Sequence, residues 1–141
     1  MWTPEPAHVI RYAYLWREQA EAGQEEGVKD RPCAVLLSAT DDTRTVVTVL
    51  PITHTPPRNA ADAVEIPPAT KRRLGLDDDR SWIVTREANR FTWPGPDVRP
   101  RPGGGMESAW IGTLPAGLFR KVRDQFVAHW RARHTGVVTR T

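Results

Sequence analysis

Residues 8–16 (HVIRYAYLW) alternate, with Ile10, Tyr12 and Tyr14 on one side and Val9, Arg11 and Ala13 on the other. A period of two predicts a β-strand. The polar stretch 17–30 reads as a loop or a short helix, of a length at which loops often carry function. Strands follow at 32–39 and 45–52, joined by a tight reversal at Asp41-Asp42. The second cannot run far past 53, because Pro56-Pro57 lacks the amide donors that a ladder needs. A short strand at 63–66 leads into a helical turn over 69–74, stopped by Gly75. Further strands are expected at 81–86, 89–93 and 108–114. Pro115 suits the first turn of a closing helix, in which Leu118, Val122, Phe126 and Trp130 recur every four residues as an apolar stripe. The pattern predicts one domain, mainly β with a C-terminal helix: a small curved sheet or barrel capped by that helix. The Pro/Gly-rich stretch 94–105 reads as a mobile loop, and 135–141 as a flexible tail.

The 141 residues suffice for one core, and 39% hydrophobic with 26% charged residues describes a soluble globular chain. No apolar run approaches the ~20 residues of a membrane span. A single cysteine, Cys33, excludes an internal disulfide and favours a cytoplasmic location. It lies in the apolar run CAVLL and is expected to be a small buried hydrophobe. The net charge of +3 is uneven: residues 1–65 hold 6 Lys and Arg against 10 Asp and Glu, whereas 66–141 hold 14 against 7. An Arg-rich basic half is compatible with a nucleic-acid partner and equally with a GC-rich genome. Asp77-Asp78-Asp79 lacks calcium-loop spacing and reads as a solvated turn, so no metal or other cofactor is expected.

Candidate chemistry concentrates at the hairpin. Arg31 heads one strand and Thr53 ends its partner, and an antiparallel pair brings such positions to the same sheet edge. A guanidinium binds phosphate oxygens bidentately, and a hydroxyl adds a neutral hydrogen bond. His54 offers an imidazole that titrates near neutrality. It shares a site with Thr53 only if the strand ends there; otherwise it belongs to the surface. His129 and His134 read as solvated, and Trp82, Trp93 and Trp110 as core positions that could instead stack bases.

Gly27 before Arg31-Pro32, the strand CAVLL, the strand VVTVLPIT ending at Thr53, AVEIP, WIVTREANRF and the terminal helix stand in an order that resembles the MazF/PemK family of toxin ribonucleases. The resemblance runs from about Gly27 to Trp130. It implies an SH3-like barrel with a terminal helix, the fold also of Kid and CcdB, and a homodimer. It further implies metal-independent cleavage of single-stranded RNA to 2′,3′-cyclic phosphate and 5′-hydroxyl ends, and a separate acidic antitoxin as protein partner. Arg31 and Thr53 fall on the family's catalytic positions, and Glu87 and Asn89 on a segment that lines its RNA groove. Arg90, Arg99 and Arg101 join them as candidate RNA contacts. The chain departs from the family in Val9-Ile10-Arg11-Tyr12 on the first strand, in the acidic Glu25, Glu26 and Asp30, and in the stretch 94–105. Two other readings fit a basic β-rich chain: a gyrase-binding toxin resembling CcdB, and an inert barrel that binds RNA or protein.

Overall fold

The computed structural model describes residues 2–27 and 29–140. Eight strands and three α-helices follow in the order β1 (His8–Tyr12), α1 (Arg17–Glu21), β2 (Arg31–Thr40), β3 (Thr45–Thr53), β4 (Ala63–Glu65), α2 (Pro68–Leu74), β5 (Trp82–Val84), β6 (Glu87–Trp93), β7 (Trp110–Thr113), α3 (Ala116–Arg131) and β8 (Gly136–Thr139). The strands form one sheet in the order β4-β5-β3-β2-β1-β7, with β6 alongside β3 and β8 alongside β6. All pairings are antiparallel except β6 with β8. No helix among the described residues is long and apolar enough to cross a membrane.

The sheet is not closed into a barrel, which corrects the barrel expectation. Its outer strands β4 and β7 are only three and four residues long and end the main path. Both faces are buried without closure. Val9, Ala34, Leu50 and Ile83 face Leu74 of α2 and Val122 and Phe126 of α3. Ile10, Cys33, Val35, Val49 and Phe91 face Val98 and Ala109 on the other side. Burial on both faces explains why CAVLL and VLPI are continuous apolar runs instead of alternating ones. Cys33 is fully buried, and burial pushes its thiol far above the ordinary range.

Three further expectations are corrected. The stretch 94–105 is not loose throughout: Val98 is buried and bridges to Tyr12, and the Ala13 amide donates to the Asp97 carbonyl at 2.8 Å, while 101–105 are exposed. The tail is a strand, since Gly136–Thr139 pairs with β6 and Arg140 is buried; Thr141 lies outside the described residues. The helix stripe is buried at Val122 and Phe126, but Trp130 is 59% exposed. The polar stretch 17–30 contains the short helix α1, and Gly75 closes α2 with φ 71°.

Candidate active site

The β2–β3 register places Cys33 opposite Pro51, Ala34 opposite Leu50 and Val35 opposite Val49. Continued two positions, it sets Arg31 opposite Thr53. Asp41 fixes the reversal: its carboxylate accepts from the Thr43 amide at 2.8 Å and the Arg44 amide at 3.0 Å. β3 ends at Thr53, whose Oγ1 accepts from the Thr55 amide at 3.2 Å. Because the chain turns there, the strict alternation of strand side chains no longer applies. His54 joins Arg31 and Thr53 in lining one cleft of about 450 Å³.

Arg31 is half-buried in that cleft. Its Nη1 donates to the Ile52 carbonyl at 3.4 Å, and its Cζ lies 5.0 Å from the centre of the Trp16 ring. The Nε is buried without a hydrogen-bond partner. Among the described residues no carboxylate pairs with this guanidinium; the neighbouring Asp30 pairs with Arg99 at 3.3 Å. A partly desolvated, uncompensated cation with spare donors favours an anion in the cleft.

Trp16 is held in place from β6. Glu87 Oε1 accepts from the Tyr14 hydroxyl and from the Arg17 amide, each at 3.0 Å. Asn89 accepts from the Leu15 amide at 2.9 Å and donates to the Leu15 carbonyl at 2.7 Å. At 3% and 0% exposure, Glu87 and Asn89 are buried and lie outside the Arg31 cleft, Glu87 reaching only a small hollow of about 160 Å³ beside α1 and Arg86. Read from the sequence as groove-lining residues, they here clamp residues 14–17, the segment that presents Trp16 to Arg31. Gly27 passes over the same backbone so closely that a Cβ there would lie 2.5 Å from the Tyr14 carbonyl oxygen.

The three basic candidates separate. Arg99 sits at the cleft rim through Asp30 and also donates to the Pro96 carbonyl. Arg90 is exposed and donates to Thr139 Oγ1 at 3.4 Å, in a different hollow lined by Leu37 and Arg44. Arg101 is exposed, with its amide donating to Ser108 Oγ at 2.8 Å. Trp82 and Trp93 are core residues, whereas Trp110 is 42% exposed and stacks on His8 at 4.5 Å. A second hollow of about 650 Å³ shares Trp16, Thr53 and Thr55 with the cleft and extends it past Arg58 and Arg86. Sequence reasoning missed Trp16 and Lys71 because neither lies near Arg31 in the chain.

Lys71, only 4% exposed, enters the cleft from α2. Its ammonium donates to Asp77 Oδ1 at 2.5 Å, to Ser81 Oγ at 2.7 Å and to the Asp79 carbonyl. Asp77 Oδ2 lies 2.8 Å from His54 Nε2. The Lys71 hydrogen bond chiefly holds the Asp77 carboxyl below its ordinary range; burial opposes it, and a weaker hydrogen bond from His54 adds to it. His54, Asp77 and Asp79 each bring a ligand atom within 4.8 Å of the others, a spacing that a metal ion can use. Of these groups the Lys71 ammonium already holds Asp77, through Oδ1. No family model matches the chain, and no curated protein matches it.

Proposed function

We propose that this protein is a metal-independent endoribonuclease of the MazF/PemK kind, cleaving single-stranded RNA to 2′,3′-cyclic phosphate and 5′-hydroxyl ends. The observation that carries the reading is Arg31, a permanent cation with unspent donors, lining one cleft with Thr53. Transesterification at phosphorus needs a base for the 2′-hydroxyl, charge stabilisation on the phosphoryl oxygens and a proton for the leaving 5′-oxygen. Arg31 supplies the second. A guanidinium has donors only and does not give up its proton, so it is a poor base and proton transfer falls to another group. His54, in the same cleft, has the required chemistry. The continuation of the cleft past Arg58 and Arg86 gives a strand room for more than one nucleotide. A homodimer on an SH3-like fold, an acidic antitoxin as partner and a cytoplasmic site of action belong to the same proposal.

The test is to incubate the purified protein with a long mixed-sequence RNA in EDTA and to map the ends. Discrete fragments carrying cyclic phosphate support the reading. Intact RNA together with gyrase inhibition replaces it by a protein-binding toxin, and intact RNA that is merely bound replaces it by an inert binding module.

A further inference from the structure

The chain of contacts from Lys71 through Asp77 to His54 is built from three separate elements. Gly75, in the left-handed region, lets the chain leave α2 and fold back, with the Leu76 amide donating to the Lys71 carbonyl at 3.0 Å. That return places Asp77 over the Lys71 ammonium. All three Lys71 donors are used, on Asp77, Asp79 and Ser81, so the buried ammonium has one arrangement only. The Asp79 amide adds a 3.2 Å bond to Asp77 Oδ1. One carboxylate oxygen is therefore tied to the protein, and the other is left for His54 Nε2 at 2.8 Å.

A carboxylate only accepts, so Nε2 is the protonated nitrogen of the neutral ring. Nδ1 then keeps its lone pair, and among the described residues it has no hydrogen-bond partner. We propose that Asp77, locked by Lys71, is the positioning residue that makes His54 the proton carrier of this cleft, acting through Nδ1. The proposal deepens the ribonuclease reading and rests on it for its substrate. In the step, Nδ1 takes the 2′-hydroxyl proton, the 2′-oxygen bonds to phosphorus and the bond from phosphorus to the 5′-oxygen breaks. The 5′-oxygen takes a proton from solvent water, and the imidazolium returns its proton to the resulting hydroxide. Arg31 holds the phosphoryl charge throughout. Asp77 stabilises the imidazolium as it forms and remains a carboxylate.

The charged groups around the imidazole are Lys29, Asp30 and Arg31 on the approach to β2, Lys71 of α2, and Asp77 and Asp79 of the following loop. Asp77 makes the direct contact, so its removal should have the largest effect. In Asp77→Asn, kcat is expected to fall about tenfold to hundredfold with KM nearly unchanged. His54→Ala should cost at least as much. Nitrogen-15 NMR of His54 in the RNA-free protein reads the same arrangement without activity: the neutral ring should be the Nε2–H tautomer, and Asp77→Ala should remove that preference. An active wild type whose rate profile is unchanged by both substitutions overturns this inference and leaves the ribonuclease reading standing. An inactive wild type overturns the ribonuclease reading; the NMR arm still decides the positioning, since an Nδ1–H tautomer in the wild type, or the same Nε2–H preference in Asp77→Ala, sinks it.

Discussion

Arg31 brings a permanent charge into a half-buried position where its hydrogen bond is a single carbonyl contact at 3.4 Å. Such a group contributes most when charge develops on a bound phosphoryl oxygen. Arg31→Ala is expected to slow RNA cleavage by about a hundredfold or more while weakening RNA binding only modestly, as single-turnover kinetics and filter binding would measure. Arg99→Ala should show the opposite split, weaker binding with a shallower salt dependence and near-normal saturated turnover, because it also frees Asp30 at the cleft rim. Elsewhere a single histidine makes stability pH-dependent. His8 packs against both Trp2 and Trp110, and burial holds its imidazole below 6.5 against the opposing pull of Glu5. The unfolded chain therefore binds a proton that the folded one refuses. The His8 contribution is full above 6.5 and is lost as pH falls through the lowered native value. Melting temperature should drop between pH 7.5 and 5.5, and His8→Phe, which keeps the stack, should flatten that slope; an unchanged slope would place the titration elsewhere.

At the scale of elements, α3 shows how a regular pattern can mislead. Residues four apart advance by about 400° on a helix of 3.6 residues per turn, so each step overshoots by about 40°. From Leu118 to Trp130 the stripe rotates by about 120°. Val122 and Phe126 point into the core, and Trp130 is carried out to solvent, where it stacks on Phe126 at 6.5 Å. Phe126→Ala should cost about 3–5 kcal/mol in denaturant unfolding. Trp130→Ala should stay within about 0.5 kcal/mol. Equal losses at the two positions would contradict this account of the helix face.

Across the whole molecule, one residue near the C-terminus joins three distant segments. Arg140 pairs with Asp97 at 2.8 Å, and donates to the Ala13 carbonyl at 3.0 Å and to Asn89 at 3.1 Å. It thereby links β8, the 94–105 stretch and the segment leading to Trp16. The Arg140 and Asp97 side chains are 5% and 12% exposed. Arg140→Ala leaves a nearly buried carboxylate without its partner and should cost about 3–5 kcal/mol. Arg140→Ala combined with Asp97→Ala should cost clearly less than the sum of the two, as a double-mutant cycle by urea unfolding would record.

Much of this was legible in the residues alone. Alternation at 8–12, the reversal at Asp41 and the prolines after Thr53 determine a hairpin whose open end carries Arg31 and Thr53, because strand period, turn chemistry and missing amides act locally. Cys33 as a buried hydrophobe was equally plain. What the sequence could not decide is where residues distant in the chain meet. Glu87 and Asn89 read as polar groove residues until the 14–17 backbone is laid over them. The polar, Pro-rich 94–105 stretch and the short C-terminal strand become ordered only through Tyr12, Arg90 and Arg140. Whether the sheet closes depends on what covers its second face, and Val98 and Ala109 cover it without closure. The His54–Asp77–Lys71 chain likewise spans 23 residues and exists only because Gly75 turns the chain back over α2. Local periodicity assigns elements; the desolvation of polar groups by distant segments assigns their roles.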